Sequence, residues 1–309
     1  MDKLTSRQFL HPRYWLSWLG LLLAFIITFF PAPIQLKLGK LIGVVITPFT
    51  KKRFKIARRN LELCFPELSE QERQTLLDKL QSSIGMMPIE TALSWWGSDK
   101  RLAKRVTYEG FEHLEAALAK GKGVILLTGH FTSMEIGGRL IMLKTPCHVM
   151  FRAMNNKLFN AVMMRARTKH SEGIVLQEDP RTMIRALRKN KVVWYAPDQD
   201  FGRKPSIYAK FFGVTAATIP ATSRLVKMTG ASVIPFVPRR DVKGHYTLTI
   251  GAPLESFPVG DEQEDAQRIN DLIEAEIRKS PDQYFWVHRR FKTQIDGKGL
   301  LYKRPKNSD

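Results

Sequence analysis

Between Lys3 and Leu61 the chain contains no Asp or Glu, yet eleven Lys or Arg fall there. Inside this basic zone lies an uncharged run of 23 residues, Tyr14 to Leu36, bounded by Arg13 and Lys37. Its centre, Leu16 to Phe30, is almost wholly apolar. A helix needs about 20 apolar residues to cross the hydrocarbon core of a bilayer. Tyr14, Trp15 and Trp18 sit at one end, where interfacial aromatics gather. A cleaved signal peptide would want a small-residue cleavage site, which Pro31-Ala32-Pro33-Ile34-Gln35 does not supply. A buried core helix rarely carries a basic border on both sides. The run therefore reads as a membrane-spanning anchor.

Loop charge orients it. Lys3, Arg7 and Arg13 precede the run; Lys37, Lys40, Lys51-Lys52-Arg53, Lys55, Arg58 and Arg59 follow it. The more basic side stays cytoplasmic, so a single pass would leave the bulk of the protein in the cytoplasm. Residues 1–50 form the anchor, with Leu36 to Phe49 as an amphipathic element along the interface. Residues 51–309 form the cytoplasmic domain. The whole chain carries a formal net charge of +20, which asks for an anionic partner. Beside a membrane span, lipid headgroups rather than nucleic acid are the expected counter-charge. Two cysteines without a CxxC pair exclude a zinc ribbon and a disulfide-stapled fold, and suit a reducing compartment.

The remaining chain alternates strands and helices. Ser69-x-x-Glu72 is a capping box opening a helix toward Trp95, with Pro88 expected to kink or break it. Short apolar runs predict buried strands at 106–108, 123–127, 148–151, 174–176, 192–196 and 232–237. Helical patterns fall at 111–120, 134–143, 156–169, 182–190, 219–228 and 262–278. Strands separated by such helices imply an α/β fold with a mostly parallel mixed sheet flanked by helices. Ligands of these sheets sit beyond the carboxyl ends of the strands.

At the end of one buried strand the chain reads Thr128-Gly129-His130-Phe131-Thr132-Ser133-Met134-Glu135. On a regular helix, residues five apart lie roughly 140° apart. His130 must therefore occupy the turn before the helix if it is to meet Glu135. So placed, Glu135 would fix the ring's tautomer and leave the other nitrogen to take a proton from an alcohol. The spacing alone does not separate this from a surface histidine with an unrelated glutamate.

The block Ile125-Leu126-Leu127-Thr128-Gly129-His130-Phe131, with Glu135 and Gly137, resembles the HxxxxD/E motif of the glycerolipid acyltransferase superfamily. More specifically, the chain resembles the late (secondary) acyltransferases of lipid A biosynthesis, the lauroyltransferase-like branch. The likeness runs from His11-Pro12-Arg13-Tyr14-Trp15 through Arg59-Asn60-Leu61-Glu62-Leu63-Cys64-Phe65-Pro66. It continues in Trp194-Tyr195-Ala196-Pro197-Asp198-Gln199-Asp200-Phe201-Gly202 and in the segment Gln283 to Thr293.

The resemblance implies acyl transfer from acyl carrier protein to a 3-hydroxyl on an acyl chain of a lipid A precursor (Kdo2-lipid IVA type). It implies the cytoplasmic face of the bacterial inner membrane, a glycerol-3-phosphate-acyltransferase-like fold, and His130 with Glu135 as the catalytic pair. Such transfer needs no cofactor, no metal and no covalent nucleophile, and the chain has no GxSxG elbow. A glycerophospholipid acyltransferase shares the same chemistry. A non-catalytic basic module binding anionic lipid or nucleic acid is the alternative of a different class.

Arg152, leaving the strand 148–151, is the candidate ligand for a substrate phosphate. Relatives often carry a proline near this arginine where Ala153-Met154 stands. Asp198, Asp200 and Arg203 follow the strand 192–196 and would orient the headgroup or buttress Arg152. His288 reads as structural, on a helix packed by aromatics. Arg181, Arg185, Arg188, Lys189 and Lys191 offer a dock for the acidic carrier, or simply a solvated face. Arg289, Arg290 and Lys292 would equally meet lipid phosphates.

Overall fold

The computed structural model describes residues 7–151, 153–176, 179–297 and 299–302. Two short turns of 3-10 helix lead into α1 (Trp15–Ile27), α2 (Ala32–Ile46) and α3 (Lys51–Cys64). The long α4 (Glu70–Trp96) and short α5 (Asp99–Ala103) precede the sheet. Then follow β1 (Val106–Glu109), α6 (Phe111–Ala119), β2 (Val124–Leu127), α7 (Met134–Ile141), β3 (Cys147–Phe151) and α8 (Lys157–His170). Next come β4 (Gly173–Leu176), α9 (Pro180–Arg188), β5 (Val192–Tyr195) and a hairpin, β6 (Ile207–Phe211) with β7 (Val214–Thr218). The chain closes with α10 (Ala221–Thr229), β8 (Ser232–Arg240), β9 (Tyr246–Ile250), α11 (Glu262–Lys279) and a C-terminal segment whose helical content is two short 3-10 turns, Pro281–Gln283 and Leu300–Tyr302.

Seven strands form one sheet in the order β1-β9-β8-β2-β5-β3-β4. The run β8-β2-β5-β3-β4 is parallel, and β9 turns back antiparallel to β8 before pairing parallel with β1. The fold is thus the expected α/β class with a mostly parallel mixed sheet flanked by helices. Side chains alternate between its two faces. Ile125, Leu127, Val193 and Tyr195 join one core with α9, α10 and α11. Val124, Leu126, Val192 and Trp194 join the other with α6, α7 and the second half of α4. Burial on both faces explains why these strands read as unbroken apolar runs.

Two local expectations change. The capping box forms as read, with Ser69 and Glu72 satisfying each other's backbone amides, but α4 runs unbroken through Pro88. Its lost hydrogen bond is outweighed because α4 is wedged between α2 and both cores. The uncharged run Tyr14–Leu36 is not one helix: α1 ends at Ile27 and α2 begins at Ala32. Pro31 lacks the amide needed to continue α1 and disfavours helical geometry at Phe30. By length and composition, the continuous helical stretch Ala32–Cys64 is long and apolar enough to cross a membrane. Its α2 half packs along α4 so closely that a Cβ on Gly85 would strike the backbone of Gly39 and Gly43. Only glycines permit that approach.

Candidate active site

β2 and β5 are parallel neighbours, with Leu127 paired to Tyr195. Three residues beyond these paired ends stand His130 and Asp198, so the register delivers both to one spot. His130 lies on the turn between β2 and α7, as its expected role required. Its Nδ1 is 2.5 Å from Asp198 Oδ1, and its backbone N–H donates to Asp198 Oδ2 at 2.8 Å. Tyr284 donates its hydroxyl to the same Oδ2 at 2.7 Å. The C-terminal segment clasps the turn: Phe285 N–H donates to the His130 carbonyl and Thr132 N–H to the Gln283 carbonyl.

Burial alone would push the Asp198 carboxyl up, but the charge and hydrogen bonds of His130, with Tyr284, hold it well below the carboxylate range. Burial opposes protonation of His130 too, yet the Asp198 carboxylate wins and raises the imidazole above its ordinary value. A quarter of the His130 side chain stays exposed. Among the described residues its Nε2 has no hydrogen-bond partner. The arrangement is a histidine oriented by a buried carboxylate, with its outer nitrogen open to a substrate.

Glu135, expected to orient the ring, sits elsewhere. It is already within the first turn of α7, and Arg167 on α8 takes its carboxylate through Nη2 at 2.5 Å and Nε at 3.2 Å. A full cation is the stronger partner. Trp95 Nε1 adds a long contact at 3.4 Å. Among the described residues no hydrogen bond joins Glu135 to His130. The Glu135–Arg167 pair borders a cavity of about 30 Å³ with Trp95, Arg139, His170 and Trp194.

Residues 3–293 match the family model described as bacterial lipid A biosynthesis acyltransferase. The chain belongs to that family. It is 40% identical over 300 residues to the lipid A biosynthesis palmitoleoyltransferase of Escherichia coli K12, covering 96% of this chain and 97% of the relative. It is also 40% identical over 295 residues to the lauroyltransferase of the same organism, covering 94% and 96%. A Haemophilus influenzae lipid A biosynthesis acyltransferase is 38% identical over 304 residues, covering 96% and 97%. Among solved structures, the 1-acyl-sn-glycerophosphate acyltransferase PlsC of Thermotoga maritima matches at a TM-score of 0.38 and 12% identity, over 80% of this chain and 97% of its own.

The other sequence candidates of this lipid A acyltransferase take varied places. Asp200 is buried and accepts from Thr293 N–H at 2.7 Å, Thr293 Oγ1 at 2.9 Å and Gly202 N–H at 2.9 Å. Arg203 donates to the Ile295 carbonyl at 2.6 Å and to Tyr208. Both residues fasten the C-terminal segment to the loop that carries Asp198. Arg152 lies outside the described residues; Phe151 before it ends β3 on the same edge of the sheet.

His288 lies on a bend of the C-terminal segment, not on a helix, and its Nε2 accepts from Asp200 N–H at 3.2 Å. Burial brings it down to about 4, so near neutral pH it is an uncharged acceptor already occupied. Arg290 is buried rather than lipid-facing: it donates to the Ala217 carbonyl at 2.6 Å and Thr218 Oγ1 at 2.9 Å. Arg181, Arg185, Arg188 and Lys189 are exposed on or just after α9, whereas Lys191 pairs with Glu172. Among the described residues no group of three His, Cys, Asp or Glu side chains could hold a metal ion.

Sequence reasoning missed Arg167 and Tyr284 and gave Asp198 a different duty. Arg167 falls within an ordinary helical pattern that carries no local signal. Tyr284 belongs to a block already quoted, but its partner lies 86 residues away.

Proposed function

We propose that this acyltransferase moves a fatty acyl chain from acyl carrier protein to a 3-hydroxyl on an acyl chain of a lipid A precursor. The precursor is a bisphosphorylated glucosamine disaccharide of the Kdo2-lipid IVA type, met at the cytoplasmic face of the inner membrane. The observation that carries the chemistry is the His130–Asp198 pair with Nε2 left open. In the base form Nδ1 keeps its proton on Asp198, and Nε2 takes the proton of the acceptor hydroxyl. The freed oxygen attacks the thioester carbonyl, forming a C–O bond and a tetrahedral intermediate. Its collapse breaks the C–S bond, and the departing thiolate receives the proton from Nε2. Asp198 stabilises the imidazolium between these steps.

In this reading Glu135 is a positioning residue that holds Arg167, which in turn donates to the Met150 carbonyl of β3. Asp198 has the orienting role, and Asp200 and Arg203 act by shaping its loop. Arg152 is the ligand of a substrate phosphate. Arg152→Lys should then lose most of its activity on the bisphosphorylated acceptor, because a point charge cannot reproduce a bidentate fork. Transfer is measured on acceptors with and without each phosphate, and on a lysophospholipid. An equal loss on all of them rejects the phosphate role; a wild-type preference for the lysophospholipid rejects the lipid A precursor.

Carrier docking falls to the exposed basic side of α9. Reversing Arg185 and Arg188 to Glu should raise KM for acyl carrier protein several-fold while KM for the lipid stays put. Equal shifts in both would reject the dock.

A further inference from the structure

The turn that carries His130 leaves the sheet at the end of β2, so β2 alone does not hold it. β8 continues past its last pairing with β2, Leu127 to Pro235, as far as Arg240. Ser232 N–H donates to the Gly123 carbonyl beside β2, and Asp241 N–H to the His245 carbonyl on the β9 side. Peptide groups alternate between the two edges of a strand, so Pro238 and Arg240 turn theirs to the edge that β2 has left. Among the described residues no other strand pairs there. Two side chains do so instead. Ser133 Oγ donates to the Pro238 carbonyl at 3.0 Å, and Pro238 has no N–H to satisfy. Arg240 has both groups, and Gln283 meets both. Its Oε1 accepts from the Arg240 N–H at 2.9 Å, and its Nε2 donates to the Arg240 carbonyl at 2.8 Å.

A carboxamide that bonds the N–H and C=O of one residue does what a paired strand residue does. The backbone of Gln283 carries this fixed point to the catalytic turn. Its carbonyl accepts from Thr132 N–H at 2.7 Å, and Phe285 N–H donates to the His130 carbonyl at 2.9 Å. Between them, Phe131 and Tyr284 form an isolated antiparallel bridge. Tyr284, the next residue, donates to Asp198 Oδ2. One short stretch therefore ties β8, the His130 turn and the Asp198 carboxylate together. Its footing is firm: the Arg240 guanidinium pairs with Glu90, buried in α4, and Tyr246 of β9 donates to the same carboxylate at 3.0 Å. With 8% of its surface exposed, Gln283 is not open to a substrate.

We propose that Gln283 is a positioning residue for acyl transfer: by closing the free edge of β8 at Arg240, its carboxamide sets where His130 Nδ1 meets Asp198. The assignment rests on the His130–Asp198 reading given above and adds to it a residue that touches no reacting atom. The bond pattern favours this role over the mere satisfaction of a buried amide. Both partners of the side chain belong to one residue of the strand beside the site, and the backbone of the same glutamine bonds the turn. Asn60 of α3 supplies the comparison. It is buried too, and fastens the same segment further along. It donates to the carbonyls of Trp286 and His288 at 2.6 and 2.7 Å and accepts from the Tyr302 hydroxyl at 2.6 Å. Among the described residues none of these three hydrogen-bonds His130 or Asp198.

The test uses the full chain in detergent, with an acylated carrier protein as donor and the bisphosphorylated disaccharide as acceptor. Gln283→Met removes both bonds to Arg240 while keeping an unbranched side chain of similar size. Gln283→Asn keeps the carboxamide but holds it one methylene short of Arg240. Both should lower kcat, by about 10²-fold where the reacting groups shift by about 1 Å, and leave KM for donor and acceptor as in the parent. Asn60→Ala should lower the melting temperature at least as far, yet keep the parent's kcat well below its transition. A parent-like kcat in folded Gln283→Met overturns the proposal, as does a raised KM at unchanged kcat. An equal kcat loss in Asn60→Ala also overturns it, because the effect then belongs to the whole segment. Should Gln283→Met not fold, the kcat of Gln283→Asn decides in its place. His130→Ala, run alongside, keeps the two claims apart. If it is active, the His130 reading fails and the proposal with it; if it is inactive and Gln283→Met is unimpaired, the proposal alone fails.

Discussion

His130→Ala should leave a folded protein that no longer transfers acyl chains. A quarter of the ring is exposed, and among the described residues its one side-chain hydrogen-bond partner is Asp198. Its backbone contacts to Asp198 and Phe285 survive truncation of the side chain. General-base groups typically contribute about 10²–10⁴-fold, so the remaining single-turnover rate should fall to near background. The circular-dichroism spectrum and melting profile should stay close to those of the parent. His288 cannot take over, because its Nε2 is engaged by the Asp200 amide. A folded His130→Ala protein with near-normal transfer would end the mechanism.

What the sequence made legible was local, and what it hid was long-range. The apolar run before Gly129-His130 marks a strand end, so His130 stood out without any knowledge of the fold. The Ser69–Glu72 box was equally plain because both partners lie within one turn. Asp198 is different. Its meeting with His130 depends on β2 pairing with β5 in register, across 68 residues of chain, and nothing local encodes that adjacency. Glu135 was the nearest carboxylate in sequence, yet the helix begins just before it and turns it toward Arg167. The hairpin β6–β7 escaped for another reason. Its tight turn places Phe212 and Gly213 both at positive φ, a geometry that usually announces itself as Asn-Gly. Phenylalanine hides the signal, and packing against Phe65, Phe211 and Trp286 holds it there. Hydropathy gave α1 and α2 their apolar character, but not their break at Pro31 or the burial of Phe9, which come from packing against the domain.

Asp198→Asn should cost nearly as much as losing the histidine, and should also move the pH profile. The carboxylate raises the His130 imidazole above its ordinary value against the opposing effect of burial. Only the neutral ring can accept the hydroxyl proton, so the parent's rate rises with pH through a pKa above about 6.5. An amide at 198 removes the opposing charge and leaves burial, which disfavours imidazolium. The rising limb should therefore shift to lower pH. Its plateau should fall by about 10²–10⁴-fold, as when the orienting carboxylate of a catalytic histidine is neutralised. Tyr284→Phe removes one hydrogen bond to Asp198 Oδ2 and keeps the charge, so it should shift the limb slightly and cost less. Glu135→Gln should leave the limb where it is, because Glu135 reaches Arg167 and not the ring. Stability follows the same linkage. The raised His130 contributes stability fully below its unfolded pKa, and that contribution fades as pH rises through the folded value. The lowered Asp198 contributes above its own unfolded pKa, and loses it as pH falls through the folded value. The pair is thus most stabilising on the acidic side of neutrality, between the two unfolded values, while catalysis needs the alkaline side. Single-turnover rates and melting temperatures across pH for the three variants distinguish the carboxylates. If Glu135→Gln shifts the limb and Asp198→Asn does not, the orienting role returns to Glu135.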